Sequence, residues 1–448
     1  MGVFTYFLRD LEQILFPNRD QHAIPAMDGG YTPNDRLDAL KPIGEPIPGA
    51  DDIAEGSDGA IYVSAGKQVL RLDGTGYETR SVFAEFNGSA GGLAFHPDGR
   101  LLVCVAGQGL AAVDAGGKQT WLNQVDDQPL HCLTSVTAAA DGSIFMTDGS
   151  SRHQRVDWVR DLMEKNHLGR LVACGAGLDG AKCLLRDLYF PHGVAIAADG
   201  RTLWFTESWN HRISRAAISG RDIAAPQIVI GNMPGYPARL GNCIGGGFWL
   251  SVFAVRTHLI EFVLREDDFR QEMMETIPPG LWISPALSTS GHCHEPMQFG
   301  SIKALGIEKP WAPPRSYGLL VRLDQDGEAV ESLHSRVGGR NHGITAARDT
   351  AQGSTARRAC CVTCTIRTGL PLRPTARRSG LPKAGSTRSA APPFPVATSR
   401  RRKRSSATCR DIRHGSDIAP RAGSGSASSR CARIWWNSCC ARTISARR

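Results

Sequence analysis

His292, Cys293, His294 and Glu295 stand side by side in GHCHEP (291–296), and each is a residue type that can ligate a metal or carry a proton. Zinc sites need such residues at spacings that turn two side chains toward one ion. Neighbours in an extended loop point in different directions, so this run predicts a surface loop presenting His292 and His294 to a substrate. Other candidate motifs fail on context. GNCIGGG (241–247) has no Lys-Ser/Thr after it, as a phosphate loop would. CCVTC (360–364) has no second cysteine pair at a metal-binding distance. No Ser lies in the strand–turn–helix setting of a nucleophile elbow.

The elements that would position such residues repeat. ADDIAEGSDGAIYVS (50–64), GGLAFHPDGRLLVCV (91–105), LTSVTAAADGSIFMTD (133–148) and PHGVAIAADGRTLWFTE (191–207) each read as a strand, an Asp-Gly turn and a second strand. Both turn residues tolerate positive φ, which suits a two-residue hairpin. The turns fall at Asp58, Asp98, Asp141 and Asp199. A strand repeat of this length is a blade of four antiparallel strands. YPARLGNCIGGGFWLSV is a fifth unit with a Gly-rich turn, and a sixth begins at NHGITAARDTAQG (341–353). Residues 154–167 predict a helix inside blade three, and 264–316 a long excursion from blade five. Loops on rigid blades are where specificity is carried.

Charge divides the 448-residue chain. From Asp349 to Arg448 there are 21 Lys and Arg against 3 Asp and Glu, which leaves 31 basic and 40 acidic residues before it. A nucleic-acid binder would carry its basic residues on the folded domain, so a small-molecule ligand is the expected partner and nucleic acid is not. Six cysteines are scattered through the body, where a free thiol acts as a small hydrophobe, and seven lie in the tail. No apolar run is long enough to span a bilayer, and charged residues interrupt the apolar pattern of MGVFTYFLRDLEQILFP, which is unlike a signal peptide. A cytoplasmic protein is expected, with membrane association only through a short amphipathic N-terminal helix. The chain divides into a lead-in (1–45), the propeller (46–353) and a tail (354–448). The tail loses periodicity, and Arg, Ser, Ala, Pro and Cys dominate it. Its tryptophans and cysteines do not suit a disordered arm, and its lack of periodicity does not suit a second domain. A shifted reading frame of a GC-rich gene fits best.

From LTSVTAAADGSIFMTDGSSRH through NHLGRLV, LYFPHGVAIAADG and FTESWNHRI, and on through MPGYPARLGN and YGLLVRLDQDGEAVESL, the chain resembles the strictosidine synthase-like family. That resemblance implies an all-β six-bladed β-propeller, here with an incomplete last blade, related to the gluconolactonase and paraoxonase propellers. It covers about 300 residues. TDGSSRH and TES contribute Asp148, Arg152 and Glu207, which fit hydrogen bonds that brace the blades.

In the hydrolytic relatives the innermost strands hold a divalent cation, usually calcium, in the central channel. Matching by the turns places Asp51, Gly91, Thr134, His192, Ala238 and His342 there, with Arg239 beside Ala238. By the resemblance Asp51, His192 and His342 either form a metal set, better suited to iron, manganese or zinc than to calcium, or bond water and backbone in a polar channel with no metal. His192 and His342 are the candidate catalytic bases, and Thr134 and Arg239, with His292 and His294, the candidate substrate contacts. The implied activity is a hydrolase acting on a lactone or ester, with a non-catalytic binding propeller as the alternative. The synthases' glutamate near the start of the last blade has no counterpart in GGRNHGITAA, so strictosidine synthesis is not expected.

Overall fold

A computed structural model describes residues 22–41, 45–74, 76–288, 316–336 and 339–349 in full, and 303–304, 307–308 and 359–363 as backbone strands. All of them belong to a compact unit, Met1–Arg373. The expected N-terminal helix, GHCHEP with His292 and His294, and the tail from residue 364 lie outside the described residues.

The fold is an all-β propeller. Four consecutive antiparallel strands make blade one (50–85), blade two (90–122) and blade three (133–188). Blade four (191–230) has a short extra strand, and blade five (235–335) inserts helices between its second and third strands. A two-stranded sheet, Ile344–Asp349 with Ala359–Thr363, follows. The second of these strands lies in the segment predicted to be unfolded tail, so regular pairing continues past residue 353. The innermost strands are Ala50–Glu55, Ala90–Phe95, Leu133–Ala138, Pro191–Ile196, Gly235–Asn242 and Ile344–Asp349. Each packs beside the next, and Ile344–Asp349 packs against both blade five and blade one, so a ring surrounds the channel.

The Asp-Gly turns occur where expected but not by the expected geometry. Only the glycine of each pair has positive φ, at Gly59, Gly99, Gly142 and Gly200. The aspartate precedes it in a turn closed by bonds such as Gly99 N–H to His96 O at 2.9 Å, and its carboxylate accepts the backbone N–H two residues on, as from Ser143 to Asp141 at 2.9 Å. The pair thus ends a four-residue turn with a left-handed glycine and does not itself form the two-residue loop.

Every innermost strand carries a register shift near its start, between Ala50 and Asp52, Ala90 and Leu93, Leu133 and Ser135, Pro191 and Val194, Pro237 and Leu240, and Ile344 and Ala346. Bulges free backbone groups that must be bonded elsewhere. A hydroxyl on the second strand does this. Ser64 accepts Asp52 N–H at 2.9 Å; Thr206 accepts Gly193 N–H at 2.8 Å and donates to Ala238 O in the next blade at 2.9 Å. Ser251 accepts Arg239 N–H at 3.1 Å and donates to Thr345 O at 2.9 Å. A Cβ at Gly193 would stand 2.4 Å from Ala238 O, so the approach of blades four and five requires glycine there.

The helix expected over 154–167 is shorter: a 3-10 turn at Arg155–Asp157 leads into α1, Trp158–Met163. In blade five lie α2, His258–Arg265, and α3, Asp267–Thr276. These helices cap the channel end at which the innermost strands begin. Leu162, Met163, Ile260, Val263, Met273 and Trp282 pack there with Phe190, Trp209, Tyr236 and Phe253. Asp161, buried in α1, accepts the Trp209 indole N–H at 2.7 Å and fixes the cap to blade four. Thr257 caps α2 by accepting Ile260 N–H. Among the described residues no helix is long and apolar enough to cross a membrane.

Candidate functional site

The bulges push Asp51, Thr134, His192 and Arg239 toward the channel from blades one, three, four and five. Arg239 lies at the centre. Its Nη1 donates to Asp51 O at 3.0 Å and Oδ1 at 3.1 Å, and its Nη2 to Asp51 Oδ2 at 3.0 Å and Thr134 O at 2.7 Å. Its Nε donates to Thr134 O at 3.0 Å and stands 3.5 Å from Asp52 Oδ2. A second guanidinium reaches in from the blade-three insertion, where Arg155 Nη1 lies 2.7 Å from Asp51 Oδ2. Thr345 on the last inner strand donates to Asp51 O at 2.8 Å. Asp52, facing the other side, accepts Ile53 N–H and Leu93 N–H, each at 2.8 Å.

Burial alone would raise the pKa of Asp51, but Arg239 and Arg155 outweigh it and hold the carboxyl well below the carboxylate range. Burial raises Asp52, which Arg239 only partly offsets. Burial lowers His192 from 6.5 to about 3, Arg239 adds to the shift, and Asp51 opposes it. The ring is therefore neutral at physiological pH. It lies between Phe190 and Phe253, with centroids 5.9 and 5.8 Å away, and its buried Nδ1 has no hydrogen-bond partner among the described residues. Cys104, the second-strand residue of blade two where other blades carry a hydroxyl, is buried with its thiol pushed up to about 12, which suits packing and not nucleophilic attack.

The predicted residues are only partly brought together. Asp51 and His192 share the site, but His342 does not belong to it. Its Nδ1 pairs with Ser316 Oγ at 2.9 Å and its Nε2 with Arg336 O at 3.1 Å, so both nitrogens are engaged in the loop before the last inner strand. The position matching Asp51 and His192 is Thr345, three residues on. Turn matching misplaced it because Asp349 ends the strand and is not the turn aspartate; its carboxylate accepts the Trp249 indole N–H at 2.8 Å and Ile244 N–H at 2.9 Å. Thr134 is not a substrate contact, since its buried hydroxyl donates to Pro191 O at 2.8 Å and its carbonyl serves Arg239. Arg239 is equally enclosed. Asp148 and Glu207 brace blades as expected: Asp148 pairs with buried Arg170 and accepts Cys132 N–H, and Glu207 pairs with Arg212 and accepts Tyr189 N–H.

The divalent cation implied by the resemblance does not fit this arrangement. Both Asp51 carboxylate oxygens face guanidinium groups, and among the described residues no group of three or more His, Cys, Asp or Glu side chains is placed to hold a metal. Arg155 was not foreseen, because a residue 104 positions from Asp51 in a loop insertion leaves no local spacing to read. On the far side of Arg239 the channel widens into a cavity of about 340 Å³ lined by Asp52, Glu55, Ser135, Asn242 and Arg348. His192 does not line it, so the unpartnered imidazole and the open space lie on opposite sides of the Arg239 partition.

Residues 134–221, spanning blade three and most of blade four, match the family described as strictosidine synthase. The chain is 28% identical over 165 residues to the protein strictosidine synthase-like 4 of Arabidopsis thaliana, covering 36% of this chain and 44% of that protein. It is 24% identical over 331 residues to adipocyte plasma membrane-associated protein of Danio rerio, covering 70% of this chain and 74% of that one. Among solved structures, a gluconolactonase from Xanthomonas campestris aligns at 15% identity with a TM-score of 0.44, over 68% of this chain and 79% of its own. By its sequence matches the chain is similar to strictosidine synthase-like proteins, spanning less than half the length of the Arabidopsis relative.

Proposed function

We propose that this chain binds a small carbonyl compound of the lactone or ester class at the capped end of the channel and hydrolyses it without a metal. The supporting observation is His192, a neutral imidazole with a buried Nδ1 free to bond, beside two guanidinium groups. In such a step water adds to the carbonyl carbon, Nδ1 accepts its proton and passes it to the departing alkoxide. The positive field of Arg239 and Arg155 favours charge developing on the carbonyl oxygen. The depressed basicity of His192 makes activated esters the better substrates.

A second reading, a binding propeller without turnover, is favoured by the 340 Å³ polar cavity on the far side of Arg239. The full chain, His192→Ala and Arg348→Ala, tested against γ- and δ-lactones and aryl esters by hydrolysis and by calorimetry, separate the two. Hydrolysis abolished by His192→Ala in a folded protein supports the first reading. Binding without turnover, lost in Arg348→Ala and kept in His192→Ala, supports the second. Neither activity overturns both and leaves the inactive product of a shifted gene.

A cytoplasmic setting and a small-molecule partner accompany this reading. The two-stranded sheet is read as the inner half of a sixth blade. Its register pairs Ala346 with Val362, a fully apolar residue where Ser64 and Thr147 stand in blades one and three and Cys104 in blade two. This accords with a frame shift near residue 353. Sequencing the gene across codons 335–365 tests it: a second frame continuing with an apolar strand ending in Ser or Thr is expected, and its absence refutes the shift.

A further inference from the structure

Every hydrogen-bond acceptor of the Arg239 guanidinium is an oxygen. Asp51 supplies both carboxylate oxygens and its carbonyl, Thr134 its carbonyl, and Asp52 one carboxylate oxygen at 3.5 Å. Two carboxylates and two carbonyls are the donors a hard divalent cation selects. Both oxygens of the Asp51 carboxylate face guanidinium groups, Arg239 on Oδ1 and Oδ2 and Arg155 on Oδ2, so its charge is compensated from within the chain. The Arg239 side chain is 4% exposed and that of Asp51 17%, so in this chain the guanidinium is the main partner of that carboxylate. Blade five thus reaches across the channel and binds blades one and three through a cation that is part of the chain.

We infer that Arg239, assisted by Arg155, is a resident organic cation filling an oxygen cage of the calcium class, and that removing it turns the cage into a divalent-cation site. The inference concerns the channel's integrity and stands apart from any hydrolytic activity. A guanidinium keeps the clamp closed whatever the calcium concentration, whereas a bound ion would make it conditional.

The test is thermal unfolding of the full chain, and of Arg239→Ala, Arg155→Ala/Arg239→Ala and Arg239→Lys, in chelator and in millimolar calcium, with terbium luminescence as a direct probe of the cage. The parent and Arg239→Lys should melt alike in both solutions and show no sensitised terbium emission. Both alanine variants should melt lower in chelator and recover several degrees in calcium, saturably, with the larger recovery in the double variant, where the cage charge is fully uncompensated. Alanine variants that ignore calcium and terbium overturn the inference. So does a parent protein that loses stability in chelator. Should Arg239→Ala not fold alone, Arg239→Gln, which removes the charge and can offer an ion a further oxygen, carries the same comparison, with a calcium-dependent rise expected and none overturning the inference.

Discussion

In blades one, four and five a hydroxyl no larger than a water molecule bonds the N–H that the bulge frees. Thr206 accepts from Gly193 and donates to Ala238, so one side chain serves two blades. Thr206→Val keeps the volume and leaves a buried N–H and a buried carbonyl without partners. A loss of about 2–4 kcal/mol in urea unfolding is expected, since each unpaired buried group costs roughly 1–3 kcal/mol. His192 adds a pH dependence. Its pKa, and those of buried His211 and His334, fall from 6.5 to about 3, 3 and 4, with burial the main cause in each. The folded protein keeps these rings neutral while the unfolded chain protonates them, so the unfolded state binds more protons between about pH 6.5 and 3. Stability should therefore be fully present above pH 6.5 and drain away as pH falls through that window. His192→Gln should flatten the acid limb of a melting-temperature profile; an unchanged slope would place the titration elsewhere.

The helices capping the channel are held by charge as well as by apolar packing. Arg256, with no exposed side-chain surface, pairs with Glu261 of α2 at 2.8 Å, and His22 meets the other carboxylate oxygen at 2.9 Å. Glu261→Ala takes the counter-ion from the buried Arg256, which keeps its bonds to Asn232 and Met233 O, and a loss of about 3 kcal/mol is expected. Limited proteolysis should then cut first near α2 and α3; cleavage spread evenly around the ring would show that the cap is not a separate weak point. These helices were the least legible elements. The sequence inside blade three predicts one helix over 154–167, yet only Trp158–Met163 is α-helical. The strand repeat was plain, since an Asp-Gly turn recurs in four units and each glycine adopts the left-handed conformation. The hydroxyl pattern was equally present in the letters, as IYVS, IFMT, LWFT and FWLS, but Ser or Thr at a strand's end looks ordinary until a bulge is seen opposite it. For the site, Asp51, His192 and Arg239 could be placed by the turns, while Arg155 and Thr345 depended on contacts between distant blades.

The lead-in clasps the outer strand of blade five through contacts between segments some 300 residues apart. Asn34 donates to Ser332 O at 3.0 Å, Arg336 pairs with Asp35 at 2.8 Å, and Asp38 accepts from Ser335 at 2.7 Å. Residues 28–38 thus lie along the outer strand of blade five, whose edge would otherwise be open to pairing. Leu37 is fully buried between that blade and the last inner strand. Asp38→Ala, which loses the bonds to Ser335 and to Arg340 N–H, should accelerate unfolding in denaturant jumps and leave refolding nearly unchanged, because contacts this far apart in sequence close late. Equal slowing of refolding would place the clasp in the folding nucleus. On the ribosome the same clasp imposes an order of events. Residues 28–38 emerge first, yet their partners are made some 300 residues later. At about 5–20 residues per second the early segment waits roughly 15–60 s unpaired, which is ample time for a chaperone to engage it before its own strand exists.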